Sequence, residues 1–255
     1  MLAVKHVGAG AAVREALRRV FGMQYAYRGI PVRDAATFRT LRLLASKGWD
    51  VWAEGGYAYA RGRLGTFAVP AGEAHLLWPL AAGEHEIYGC LDVRGRVVAD
   101  VGAYLGETAV LFARMGAKFV HAYEPVFYEL AELNLRLNGI TSAAIHPYGL
   151  WLEGGWLDVD PAGAATGLRR GSARIEVRPI TEALELADVV KMDCEGCEWA
   201  LLALPCGAIR RVEEYAIEIH GPEPYIVARM EQCGYAARKI ADTAPMVTAW
   251  HFTRR

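Results

Sequence analysis

Four side chains able to hold or move a proton lie in two short stretches of the C-terminal half. Asp193 and Glu195 belong to Lys191-Met192-Asp193-Cys194-Glu195-Gly196-Cys197-Glu198, and Glu218 and His220 to Glu218-Ile219-His220. Each stretch closes a run of strand formers, so all four are expected at strand ends facing one crevice. Acids clustered there are costly unless they serve chemistry. Any of them could take the proton of a weak nucleophile, and His220 could do so directly near neutral pH. Glu198 reads more simply as an acid favoured in the first turn of a helix. The sequence assigns no metal ligands; a divalent ion held by Asp193, Glu195 and Glu218 is the alternative, because oxygen ligands suit Mg²⁺. Cys194-x-x-Cys197 lacks the second pair or the histidines of a zinc site. The five cysteines, at 90, 194, 197, 206 and 233, are read as forming no disulfide framework.

A second chemistry-bearing stretch is Val97 to Glu124. Val97-Val98-Ala99-Asp100-Val101 predicts a strand, Gly102-Ala103-Tyr104-Leu105-Gly106 a tight turn, and Glu107-Thr108 the start of a helix. Phe119 to Tyr123 predicts the next strand, ending on Glu124. Gly102 and Gly106 allow backbone and ligand to approach closely, and the free N–H groups of the helix start face the same crevice. An acid at the tip of the neighbouring strand can accept ribose hydroxyls. The turn is G-x-x-x-G preceded by Asp100, not the GxGxxG of a pyrophosphate site. An acid beside it suits a ligand with positive charge, and S-adenosylmethionine carries both a sulfonium and an ammonium.

The elements that must position these groups alternate. After Glu124 the pattern predicts a helix from Pro125 to Asn138, a strand Ala143 to Pro147, and an inserted hairpin of Gly149 to Asp160 with Ala173 to Arg178. A helix Thr181 to Leu186, a strand Asp188 to Asp193 and a helix Glu198 to Leu204 come next. A strand Tyr215 to His220, a helix Tyr225 to Cys233 and two late strands, Tyr235 to Ile240 and Ala249 to Thr253, complete the chain. Such alternation implies a mainly parallel sheet with helices on both faces. Upstream, Ala11 to Phe21 and the segment from Asp34 to Gly48 predict amphipathic helices. Trp49 to Glu54 and Tyr57 to Arg61 predict a hairpin about Gly55-Gly56, and Leu64 to Val69 a further strand. Ala71 to Gly83 reads as irregular and Glu84 to Asp92 as a short strand pair. The boundary is set at 72/73.

Composition sets outer limits. The chain has 255 residues, 53% hydrophobic and 22% charged, with a net charge of −1, as expected for a soluble globular protein. No stretch reaches the roughly 20 apolar residues of a membrane span, no signal peptide is expected, and a cytoplasmic location is. Residues 1–70 hold eleven basic and four acidic side chains, a net +7, leaving −8 for the remainder. Arg14, Arg18, Arg19, Arg39 and Arg42 are read as a solvated face, with phosphates of RNA, an anionic lipid or a glycan as the alternative. Tyr25, Tyr27, Trp49, Trp52, Tyr57 and Tyr59 are read as the core of this small unit, with base or sugar stacking as the alternative.

Val98-Ala99-Asp100-Val101-Gly102-Ala103 with Gly106-Glu107-Thr108, then Tyr123-Glu124-Pro125, then K-x-D-x-E-G-x-E over residues 191–198, and finally Glu218-Ile219-His220, stand in one order over roughly residues 84–253. In these motifs the chain resembles the FkbM family of S-adenosylmethionine-dependent methyltransferases. The resemblance implies an α/β, Rossmann-like class I methyltransferase fold: a mainly parallel seven-stranded sheet, its last strand antiparallel, with helices on both faces. A small N-terminal α+β accessory unit, residues 1–72, would precede the methyltransferase domain, residues 73–255. The resemblance further implies that Asp100, Gly102, Ala103, Gly106 and Thr108 line the methionine end of the cofactor beside Asp193. Glu124 and Pro125 would take the ribose, and Tyr148 and Gly149 would lie near the adenine. Methyl transfer would go most often to a hydroxyl oxygen of a small molecule, glycan or lipid-linked acceptor. RNA methylation guided by the basic N-terminal unit and a catalytically silent cofactor-binding module are the rival readings.

Overall fold

The structure is a computed structural model and describes residues 25–159 and 173–255. The helix expected at Ala11 to Phe21, with Arg14, Arg18 and Arg19, and most of the loop inside the inserted hairpin lie outside the described residues. The chain divides into two compact units, Met1–Ala82 and Gly83–Arg255.

In the first unit, β1 (Tyr25–Tyr27) and β2 (Ile30–Val32) form an antiparallel hairpin. Helix α1 (Ala35–Ser46) starts where Asp34 accepts a hydrogen bond from Thr37 N at 2.7 Å, an N-cap that satisfies one orphan donor. Its Leu41 and Leu44 are buried. Strands β3 (Asp50–Glu54), β4 (Tyr57–Arg61) and β5 (Thr66–Pro70) make an antiparallel sheet in that order. Alternation sends Val51, Ala58 and Ala60 inward and the Trp52–Tyr59 pair to the opposite face. The aromatics are therefore not the core: Tyr25, Tyr27, Trp49, Trp52 and Tyr59 are half-buried and Tyr57 is exposed. Nor is the segment after β5 irregular. A 3₁₀ helix (Ala71–Leu77) runs into α2 (Trp78–Ala82), burying Ala74, Leu76, Leu77 and Leu80, so the first unit extends ten residues beyond the expected boundary.

The second unit opens with a 3₁₀ helix (Glu84–Cys90) in place of the expected strand pair. Gly83 enters it at φ 84°, and His85 and Tyr88, three residues apart, are buried, as the three-residue turn of this helix requires. Then come β6 (Val97–Val101), α3 (Glu107–Met115), β7 (Phe119–Tyr123) and α4 (Tyr128–Leu137). Helix α4 starts three residues later than expected, because the Glu124 carboxylate binds Val126 N and Phe127 N in a turn of its own. Strand β8 (Ala143–His146) follows, and β9 (Gly149–Trp151), β10 (Gly155–Val159) and β11 (Ala173–Pro179) form a separate sheet. The expected hairpin is β10 with β11; β9 adds to β11 in parallel.

Helix α5 (Ile180–Leu186), β12 (Val189–Met192), a 3₁₀ helix (Cys197–Leu202), α6 (Cys206–Ile209), β13 (Glu214–His220), α7 (Pro224–Gln232), β14 (Tyr235–Ala244) and β15 (Val247–Arg254) complete the unit. The central sheet has seven strands in the order β14-β15-β13-β12-β6-β7-β8. Strands β13, β12, β6, β7 and β8 are parallel, and β15 runs antiparallel to both its neighbours. Ala99, Val101, Val190, Met192, Tyr215, Ile217 and Ile219 point to one face, packing with α5, α6 and α7 into the main core. No helix among the described residues is long and apolar enough to cross a membrane.

The cysteines overturn the reading of no disulfides. Cys194 is bonded to Cys197 and Cys206 to Cys233, while Cys90 is free. The second bridge ties the start of α6 to the end of α7, a long-range pairing that spacing does not reveal. The expected cytoplasmic location loses whatever support it drew from unpaired thiols.

Candidate active site

Strand alternation decides which groups meet. Lys191 pairs in register with Asp100 on one side and Ala216 on the other. Asp100, Lys191, Asp193, Glu218 and His220 therefore share the face opposite the main core. Their strands end together, so Asp193, Glu218 and His220 bring ligand atoms within 4.8 Å of one another.

His220 is the hub. Its Nδ1 lies 3.2 Å from Glu198 Oε1, and its Nε2 lies 3.5 Å from Glu195 Oε2 and 3.8 Å from Glu218 Oε2. Burial works against its positive charge, but Glu198, Glu195 and Asp193 outweigh it and raise the imidazole to about 9. Glu218 is raised to about 8, by burial first and then by the Asp193 charge beside it. Imidazolium is thus a cation held among the carboxylates of the cluster. The atoms that converge, from two carboxylates and an imidazole, differ from the all-oxygen set of Asp193, Glu195 and Glu218 weighed as the alternative, and suit Mg²⁺ less well.

Two further side chains anchor the cluster, of which Tyr88 carries no signal in the sequence. Tyr88 donates its hydroxyl to Asp193 Oδ2 at 3.0 Å and holds that carboxylate from the 3₁₀ helix before β6. Glu198 is fully buried; its carboxylate accepts from Gly196 N at 3.0 Å and His220 N at 2.9 Å. It lies in the first turn of its 3₁₀ helix, as read, and beyond that staples the end of β12 to the end of β13. The E-x-x-E spacing was the available signal, but its meaning depends on a strand distant in sequence.

The cofactor candidates divide. One cavity is lined by Gly102, Tyr104, Glu124, Pro125, Gly149, Asp193 and Glu195, with Cys194, Cys197 and an apolar wall from β10 and β11. Gly102 has φ 79°, and a Cβ there would lie 1.8 Å from the Asp193 carbonyl oxygen, so only glycine lets the turn and the Asp193 loop touch. Glu124 accepts from Tyr104 N at 2.9 Å through Oε2, and from Val126 N at 2.8 Å and Phe127 N at 3.0 Å through Oε1. Of about four acceptor directions on a carboxylate, three are taken by these backbone donors.

Asp100, Ala103, Gly106, Thr108 and Tyr148 do not line that cavity. Asp100 is wholly buried, 3.1 Å from Lys191 Nζ, and accepts from Thr108 Oγ1 at 2.6 Å. Lys191 also donates to Gly102 O at 2.5 Å, so the pair supports the turn from beneath. Burial opposes the Lys191 charge, yet Asp100, Asp193 and Glu107 raise its basicity. Gly106 caps α3 at φ 80°, where a Cβ would meet Ala131 O of α4 at 3.3 Å; it serves helix packing. Ala103 is buried with its N–H on Tyr123 O. Tyr148 lies beneath the Arg178 guanidinium, 4.0 Å from its ring centre.

In comparison with known proteins, a family profile described as methyltransferase FkbM domain matches residues 100–237. No curated protein matches the sequence. Among similar solved structures is the ribosomal protein L11 methylase from Lactobacillus delbrueckii subsp. bulgaricus, 17% identical over 70% of this chain and 80% of that one, TM-score 0.42. Another is M. jannaschii TYW2 in complex with AdoMet, 16% identical over 81% and 87%, TM-score 0.41. A third is the magnesium protoporphyrin IX methyltransferase of Synechocystis with bound SAM, 10% identical over 71% and 84%, TM-score 0.42. At these identities the likeness is one of fold.

Proposed function

Since the chain belongs to the FkbM methyltransferase family, we propose that it moves a methyl group from S-adenosylmethionine to a hydroxyl oxygen of a small molecule, glycan or lipid-linked acceptor. The observation that carries this reading is that one cavity is lined by both the Gly102–Tyr104 turn with Glu124 and the Asp193–Glu195 loop. The residues fit the cofactor: a glycine cradle too tight for any Cβ, a buried carboxylate in the cavity wall to accept a ribose hydroxyl, and an apolar wall for a flat base. S-adenosylmethionine supplies the electrophilic methyl group for in-line displacement, and alignment of the acceptor accounts for much of the rate.

The chain's own residues handle the proton. An aliphatic hydroxyl needs a base as it attacks. His220 serves as that base once its resting proton is lost. Asp193, held by Tyr88, orients the acceptor hydroxyl, while Glu195 and Glu198 fix the imidazole and stabilise it when charged. Glu218, largely protonated at neutral pH, keeps the cluster from carrying excess negative charge.

A second reading, RNA as acceptor, draws on one observation. In the first unit Trp52 stacks on Tyr59 with centroids 5.0 Å apart, and Arg61 lies over Trp52 at 5.4 Å, a surface suited to bases. Asp50 offsets it by pairing with both Arg28 and Arg61.

The test has two arms. Glu124→Gln is expected to weaken S-adenosylmethionine binding about ten- to a hundredfold by calorimetry, because a lost charge-assisted bond costs about 1.5–3 kcal/mol; unchanged affinity in a folded variant removes Glu124 from the cofactor site. Labelled methyl is then followed from the cofactor into RNA, lipid and small-metabolite pools of a cell extract. Label in RNA overturns the hydroxyl reading in favour of the second.

A further inference from the structure

Two sulfurs in the wall of the cleft take no part in methyl transfer. Cys194 and Cys197 both line the cavity, and their disulfide closes the short loop that carries Glu195. Within that loop Glu195 adopts φ 54° and Gly196 φ 125°. The first is a left-handed conformation that side-chain-bearing residues hold only when their surroundings enforce it. The bridge spans that residue, and Glu195 Oε2 lies 3.5 Å from His220 Nε2. The same loop rests on the cofactor turn: a Cβ at Gly102 would reach Asp193 O at 1.8 Å and Cys194 Cα at 3.1 Å. Loosening the loop therefore loosens the cradle.

Three features set this bridge apart from Cys206–Cys233. It closes a loop with only two residues between the cysteines, where constraint of the unfolded chain contributes least to stability. Each bridge has one half-buried and one buried cysteine, but only Cys194 and Cys197 line the cavity, so opening this bridge alters the cleft itself. Cys194 Sγ lies 3.7 Å from Glu198 Oε2, so a reduced thiol finds a waiting acceptor without rebuilding the site.

We propose that Cys194–Cys197 is a reversible dithiol–disulfide site that tunes the cleft, the disulfide form binding the cofactor and the dithiol form binding it weakly. This rests on the reading of the cavity as the S-adenosylmethionine cleft. The reductant is a dithiol. One of its thiolates attacks Cys194 Sγ, the S–S bond breaks and Cys197 leaves as a thiolate that takes a proton. The second thiol then attacks the mixed disulfide, releasing Cys194 as a thiol. Two electrons and two protons pass to the protein, and the dithiol becomes a disulfide.

The full chain is equilibrated in graded ratios of reduced to oxidised dithiothreitol. Free thiols are alkylated and located by peptide mass spectrometry, and S-adenosylmethionine affinity is measured calorimetrically at each ratio. Cys194 and Cys197 are expected to open at a milder ratio than Cys206 and Cys233, with affinity falling about tenfold at the same midpoint, as loss of preorganisation implies. Cys197→Ser should bind at the reduced level in every buffer, and Cys206→Ser/Cys233→Ser should keep the response. Cys194→Ser serves if Cys197→Ser does not fold. Equal affinity in both states, or cysteines 194 and 197 that never pair in oxidising buffer, overturns the inference. Absence of binding in both states instead overturns the cofactor assignment, and this inference with it.

Discussion

His220 meets a carboxylate at each ring nitrogen, Glu198 at Nδ1 and Glu195 at Nε2, and this sets the sign of its pH response. The folded imidazole is raised to about 9 from an ordinary value near 6.5. Below that range the group is charged in both folded and unfolded chains, and its pairing stabilises the fold in full; the contribution fades as pH rises through about 9. Catalysis runs the other way, since only neutral imidazole accepts a proton. Methyl transfer should climb with pH from neutrality and level off near 9, and His220→Gln should flatten that slope while cofactor affinity holds. A slope that survives the substitution would move the titrating group to Glu218, whose carboxyl is raised to about 8. That Asp193, Glu218 and His220 converge was legible in the sequence, because all three close strands. The pairing of Asp100 with Lys191 was not: it depends on the register of β6 against β12, which no local pattern encodes. An acid expected to face the ligand is consequently buried beneath the turn.

Glycines 102 and 106 bracket one turn, share nearly the same backbone angle, and do different work. At Gly102 the obstacle to any side chain is the backbone oxygen of Asp193, 1.8 Å from where a Cβ would stand, whereas at Gly106 it is Ala131 O at 3.3 Å. Gly106→Ala should cost about 1–2 kcal/mol, chiefly the left-handed penalty, and leave cofactor affinity near normal. Gly102→Ala must push the loop that carries Asp193, and is expected to lose binding by more than about tenfold even where it folds. Urea unfolding and calorimetry on both variants decide the matter; equal losses of affinity would mean that the cradle extends to Gly106. The strands of the seven-stranded sheet and the longer helices of this unit were legible from their periods. The 3₁₀ segments Ala71–Leu77 and Glu84–Cys90 were not, the first reading as irregular and the second as a strand pair, since seven residues are too few for a three-residue repeat to declare itself. One of them carries Tyr88, and so the Asp193 contact was missed with it.

The unit from Gly83 to Arg255 holds the seven-stranded sheet, its core and every residue proposed to hold the cofactor or move the proton. Its size and its own closed hydrophobic core are those of an independent domain. The chain shortened to residues 83–255 is therefore expected to unfold in one cooperative step and to bind S-adenosylmethionine within about threefold of the full chain, since no ligand-binding group is removed. Transfer to the acceptor is the discriminating readout. Residues 1–70 carry the +7 charge and the first unit carries the Trp52–Tyr59 stack, features suited to holding an acceptor and irrelevant to the methyl donor. If that is their role, the shortened chain keeps cofactor affinity while acceptor KM rises steeply, and Trp52→Ala in the full chain moves KM in the same direction with kcat nearly unchanged. Should both chains turn over the acceptor alike, recognition resides within residues 83–255, and the basic unit answers to a partner other than the substrate.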